Sequence, residues 1–141
     1  MQSKLSRKSN LTSWVLQLIA AAILGQTLVF KFTGAPESRW IFEQLGVEPW
    51  GRWASGVAEL VAVVLLLTPR AAHLGALLGL GVMAGAIGAH LTRLGIEVQG
   101  DGGTLFALAI VTSVACATVA WIRRARVPIL GPALAGRARA G

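Results

Sequence analysis

Residues 74–94 read LGALLGLGVMAGAIGAHLTRL, with nothing polar from Leu74 to Ala89. At about 1.5 Å per residue, roughly 20 residues cross the hydrocarbon layer of a bilayer. A run this long and this apolar predicts a membrane span rather than the core helix of a soluble domain. It also carries five glycines: Gly75, Gly79, Gly81, Gly85 and Gly88. At about 100° per residue, Gly75 and Gly79 share one sector and Gly81, Gly85 and Gly88 another. Small residues let helices approach closely in lipid, so two small faces predict neighbours on both sides. His90 and Arg93 continue the Gly75/Gly79 sector and are expected to point inward near the helix end.

The rest of the chain fits the same environment. It is 55% hydrophobic and only 13% charged, which places it in the polytopic membrane class. Residues 1–10 form a polar, basic amino-terminal segment. Spans are predicted at about 11–32, 51–68, 72–93 and 104–122, together one membrane domain over 11–122. The turn after Pro69 is brief, so the second and third spans form an antiparallel hairpin. Between the first two spans, Pro36 and Pro49 bracket a connector. A short amphipathic helix around Glu37–Leu45 fits there, with Trp40, Ile41 and Leu45 on one side, suited to the membrane interface. Residues 123–141 form a basic tail rich in Pro, Gly, Ala and Arg, expected to be poorly ordered. No cleavable signal peptide is expected, since the first apolar run is span-length and no small-residue cleavage site follows. No span alternates with period two, which argues against a membrane β-barrel. The predicted fold is all-α: an integral membrane four-helix bundle with a short interfacial helix between spans one and two.

Charge sets the expected orientation. Nine Lys and Arg residues fall on the side that holds both termini and the 68–73 turn: Lys4, Arg7, Lys8, Arg70, Arg123, Arg124, Arg126, Arg137 and Arg139. Four fall on the other: Lys31, Arg39, Arg52 and Arg93. All six acidic residues share that second side. Both termini are therefore predicted cytoplasmic. The net charge of +7 is then explained by basic ends meeting anionic lipid, at about 1 kcal/mol per residue, without nucleic acid. Trp14 and Trp121 would mark the inner interface; Trp40, Trp50 and Trp53 would mark the outer one.

On that topology the ionisable residues converge. Lys31 ends the first span, Glu59 lies about two turns into the second, His90 and Arg93 close the third, and Asp101 precedes the fourth. Arg52, Ser55, Gly56 and Glu59 share one helical sector, which makes a polar groove running inward to Glu59. A charge within a span is costly and usually paired, so Glu59 is expected to meet Lys31, Arg52, Arg93 or His90. Two readings of Glu59 stand: an ion pair that fixes bundle register, or a proton relay touching a polar headgroup or a quinone carbonyl. His90 either relays protons or caps a helix end. Asp101 in GDGG (100–103) either caps the last helix or binds a ligand. Lys31 and Arg93 are either snorkelling anchors or ligand contacts. The lone Cys116 is read as core packing, and His73 falls on the opposite side from His90, so no metal site is expected.

Five segments then resemble one known family: KFTG at 31–34, LGVEPWGR at 45–52, GVAEL at 56–60, LLLTPR at 65–70 and GAIGAHLTRLGIEVQGDGG at 85–103. In order and spacing, over roughly residues 28–122, they resemble the DoxX-like family. The resemblance implies a four-helix protein of the bacterial inner membrane. Some relatives are described as the small membrane subunit of a thiosulfate–quinone oxidoreductase, and others join redox complexes tied to thiol balance. A distant animal branch acts as a receptor-assembly chaperone. The family's recurring charged positions map onto Lys31, Glu59, His90 and Asp101. Thiol-active relatives carry cysteine pairs, whereas this chain has one cysteine.

The expected function is a membrane subunit of a quinone-linked or thiol/sulfur-linked redox complex. Glu59 and His90 would handle protons, and Lys31, Arg52, Arg93 and Asp101 would line the polar groove. No haem, flavin or iron–sulfur pattern is visible, and the one cofactor considered is quinone. Membrane lipid and either a protein partner or a second copy of the chain are the expected partners. A non-enzymatic assembly factor is the alternative, and a small transporter the weaker one, since inverted repeats and broken helices are missing.

Overall fold

Ser6 starts the first helix. Its hydroxyl accepts from the Ser9 N–H at 3.1 Å, satisfying one of the unpaired amides of a first turn. That cap extends α1 back to Arg7, earlier than the apolar run at Leu11 suggested, and the helix reaches Thr33. Gly34 ends it at φ 67°, a left-handed geometry that costs a residue without Cβ little. α2 is Pro36–Gln44, opened by a proline that needs no N–H partner, with Glu37 in its first turn. α3 is Trp50–Leu66 and α4 is Ala72–Ala89. α4 continues as one π-helical turn, His90–Leu94. α5 is Thr104–Ile122, followed by a 3₁₀ turn at Arg124–Arg126.

The computed structural model describes residues 5–126, and every regular element among them is helical. The start of the basic amino-terminal segment (1–4) and most of the tail expected to be poorly ordered (127–141) lie outside the described residues.

α1 packs against α3 and α5, and α4 packs against the same two. α2 lies across one end, touching α1, α3 and the π turn. The opposite end gathers the start of α1, the α3–α4 turn and the end of α5. There Gln17 Nε2 donates to Leu66 O at 2.7 Å, filling a carbonyl that the end of α3 leaves open. Arg126 Nη1 reaches Pro69 O at 3.2 Å.

The interior is built of small side chains, among them Ala20, Ala62, Ala76, Ala115 and Cys116. Gln17, Glu59 and Thr112 are fully buried, while Leu18, Val29, Val57, Val64 and Val114 face outward. Polar inside and apolar outside is the arrangement a lipid solvent selects. α1, α4 with its π turn, and α5 are each long and apolar enough to cross a membrane. α3, at 17 residues, is the shortest of the four long helices and covers about 25 Å.

Two expectations about residues 74–94 need correction. Only the Gly75/Gly79 face is packed: a Cβ at Gly75 would sit 2.5 Å from Leu66 N, and one at Gly79 would sit 2.9 Å from Cys116 Sγ. At Gly81, Gly85 and Gly88 a Cβ would meet nothing within 4 Å. Missing side chains on that face leave an opening rather than a helix contact. Arg93 is exposed, not inward. The π turn inserts an extra residue per turn, so Leu94 follows His90 into the interior and Arg93 rotates out.

Candidate functional site: an ion pair in an apolar groove

α1 contributes Thr27 and Lys31 to one face, four residues apart. α3 contributes Glu59, which is wholly buried. Lys31 Nζ bonds Glu59 Oε1 directly, so of the four partners the sequence allowed, Lys31 is the one that pairs. Thr27 Oγ1 stands 3.1 Å from Glu59 Oε2 and 3.0 Å from Leu24 O. It has one hydrogen to share between the two acceptors. Removing a charge pair from water is expensive, and the pair is viable here because it is close and further hydrogen-bonded.

The pair sits in the wall of a groove of about 780 Å³ bounded by all five α-helices and the π turn. Ile23, Phe42, Met83 and Leu108 contribute apolar lining, and Gly81 and Gly85 border it where their side chains are missing. α2 closes one side with Ser38, Ile41 and Leu45. Ile41 and Leu45 of the expected amphipathic helix therefore face this groove. An apolar cavity of about 300–1,000 Å³ with a few convergent polar groups is the usual form of a small-molecule site.

His90 lines the same groove. Its Nδ1 is 2.8 Å from Gly95 O. A carbonyl can only accept, so Nδ1 carries the hydrogen and Nε2 of the neutral ring is an acceptor. Nε2 has no hydrogen-bond partner among the described residues. The imidazole packs edge-on against Phe106 at 5.5 Å. The π turn fixes this geometry by bringing Gly95 beneath His90, with Gly95 N–H on His90 O at 2.9 Å.

The other expected residues lie outside the groove lining and have different duties. Arg52 is buried and grips Glu48 with Nε at 3.0 Å from both carboxylate oxygens, while its Nη1 donates to the Lys31 carbonyl. It thereby ties the last turn of α1 to α3 and fixes the backbone of Lys31. Asp101 accepts from Val98 N–H at 3.0 Å, Gly103 N–H at 2.8 Å and Leu105 N–H at 3.0 Å. Burial raises its pKa, but those amides, aided by His90 in its protonated form, outweigh that and hold the carboxyl below its ordinary value. Asp101 shapes the 95–103 loop and serves the start of α5 from two residues before the cap position, which Gly103 occupies. Gln99 of that loop lines the groove at φ 52°, a left-handed conformation uncommon for a side-chain-bearing residue. Arg52, Arg93 and Asp101 are not among the lining side chains; Lys31, Glu59 and His90 are.

Sequence reading missed Thr27, whose signal was its spacing of four from Lys31. It also missed a polar network at the far end. Arg123, expected in the basic, poorly ordered tail, is buried there, its Nε donating to Ser13 Oγ at 2.9 Å and Gln17 Oε1 at 3.1 Å. Ser13 and Gln17, again four apart inside an apolar run, were the available signal.

Comparison with curated proteins and with solved structures gave no match. A family-level comparison matched residues 15–119, which include every residue lining the groove and the whole α3–α4 hairpin. With its apolar helices it is a multi-pass membrane protein, and it belongs to the DoxX-like family.

Proposed function

We propose that the chain is a four-span bundle of the bacterial inner membrane with both termini cytoplasmic, and the small membrane subunit of a quinone-linked redox complex. The observation that carries this reading is the groove. A closed Lys31–Glu59 pair and an unpartnered His90 Nε2 share one apolar cavity of about 780 Å³. A flat ring with carbonyl oxygens fits such a space: the walls suit the ring, Lys31 Nζ is a donor for one oxygen, and His90 is an acceptor for a hydroxyl. A bound quinone supplies acceptance of two electrons, delivered by a partner subunit, together with two protons. His90 takes up one proton at its free Nε2 and Glu59 the other at Oε2, Thr27 then donating to Leu24 O, and each passes its proton to a quinone oxygen, while Lys31 tunes the charge of the site. Arg52 positions Lys31 through its carbonyl, and Asp101 shapes the loop beside His90.

Gentle solubilisation of the natively expressed, tagged protein, with mass spectrometry of proteins and lipids in the eluate, tests the role. Redox enzymes and quinone at near-stoichiometric amounts are the expected result. A non-redox membrane client with no quinone would replace this reading with the assembly-factor one.

A further inference from the structure

The end of the molecule opposite the groove carries an unbalanced charge. Arg123 is 4% exposed, and among the described residues its guanidinium meets only neutral acceptors: Ser13 and Gln17, already described, and Asn10 Oδ1 at 3.2 Å from Nη2. A guanidinium has five N–H donors, and both on Nη1 lack an acceptor among the described residues. Buried charges are normally paired. No acidic side chain can fill the role here. All six lie between residues 37 and 101, and they belong to the groove end. Burial first, and the charge of Arg126 second, pull the Arg123 pKa below its ordinary value, as expected of a cation crowded by its own sign.

Arg123, Arg124 and Arg126 line one cavity of about 490 Å³, with Ser9 beside them and Leu5 and Trp121 at its apolar margin. Arg124 stacks 4.4 Å over the Trp121 ring, and that indole is 65% exposed on the apolar exterior. Among the described residues Arg124 and Arg126 each make a single hydrogen bond, to Trp121 O and Pro69 O, which leaves further donors.

We propose that this cavity binds the phosphate of an anionic phospholipid headgroup. The phosphate oxygens take the free donors of the three arginines, the geometry at which guanidinium outperforms ammonium. The acyl chains leave past Trp121 along the outer face. The apolar margin is what selects a lipid over free phosphate, and basic pockets between membrane helices are known to hold such headgroups. The proposal rests on the membrane reading and is independent of quinone.

Native mass spectrometry of the full-length protein in mild detergent, titrated with phosphatidylglycerol or phosphatidylcholine, tests it. Phosphatidylglycerol is expected to bind at least ~10-fold more tightly, and R124Q and R126Q to weaken it by about 5-fold each. R39Q, an exposed arginine at the groove end, is expected to change nothing. The Arg124 and Arg126 variants leave the buried Arg123 network intact, so misfolding does not decide the outcome; unchanged melting temperatures check this. Equal binding of the two lipids, or undiminished phosphatidylglycerol binding in the R124Q/R126Q double variant, would overturn the proposal. So would displacement of the lipid by inorganic phosphate at matched concentration, which would mark a soluble-anion site. Quinone content of these variants is expected to equal that of the parent, which separates failure here from failure of the redox reading.

Discussion

Lys31→Met is expected to lower stability by about 3–5 kcal/mol, the cost of leaving a buried charge without its partner. Glu59 is wholly buried, and Thr27, with a single hydrogen, is its only other partner among the described residues. The methionine keeps the length and packing of the lysine stem, so the loss reports the charge and not a cavity. Glu59→Gln is expected to be costly as well, because it strands the Lys31 ammonium beside apolar walls. The K31M/E59Q double variant should recover much of the loss, since both charges are gone and Thr27 can still donate to the amide oxygen. Thermal or denaturant melts of the four proteins in one detergent give the answer. Single variants that each cost under about 1 kcal/mol, the range of exposed pairs, would mean that the pair is solvated.

Gly75→Val is the second large effect. The added Cβ would sit 2.5 Å from Leu66 N and 2.9 Å from Leu65 C, both backbone atoms that cannot rotate away. α3 and α4 must separate at the end of α3. A loss at or above the upper end of about 1–3 kcal/mol is expected. Gly81→Ala, on the open face of the same helix, should be neutral or stabilising by up to about 1 kcal/mol, since alanine favours helix and meets nothing. Melts that rank the two variants equally would contradict the packing of α4 on α3.

These two sites also mark how far the sequence could be read. The four long helices, the connector helix and the convergence of Lys31, Glu59 and His90 were legible, because apolar run length and i, i+4 spacing are local quantities. Which partner Glu59 takes was not, since four candidate partners stood within plausible reach and only the packing of α1 on α3 selects Lys31. The two glycine faces of α4 look alike in sequence. What distinguishes them is what lies opposite: the backbone of Leu65 and Leu66 and the sulfur of Cys116 on one side, open space on the other. Arg93 failed for a different reason, because a single π turn changes the phase that a 3.6-residue period assumes. Arg123 was read with its basic neighbours, and only its contact with Ser13, 110 residues away in the chain, shows it to be interior.

The groove as a quinone site is the central claim, and a variant that fills it tests that claim most directly. Gly85 borders the groove and a Cβ there meets nothing within 4 Å, so the indole of Gly85→Trp can leave the backbone toward the opening and should occupy it while leaving the fold intact. Quinone per mole of protein would be measured in gently solubilised membranes for the parent and for G85W, with melting temperature as the check on folding. The expected result is near-stoichiometric quinone in the parent and at least ~10-fold less in G85W at an unchanged melting temperature. Equal quinone in both, or none in the parent, would contradict the assignment.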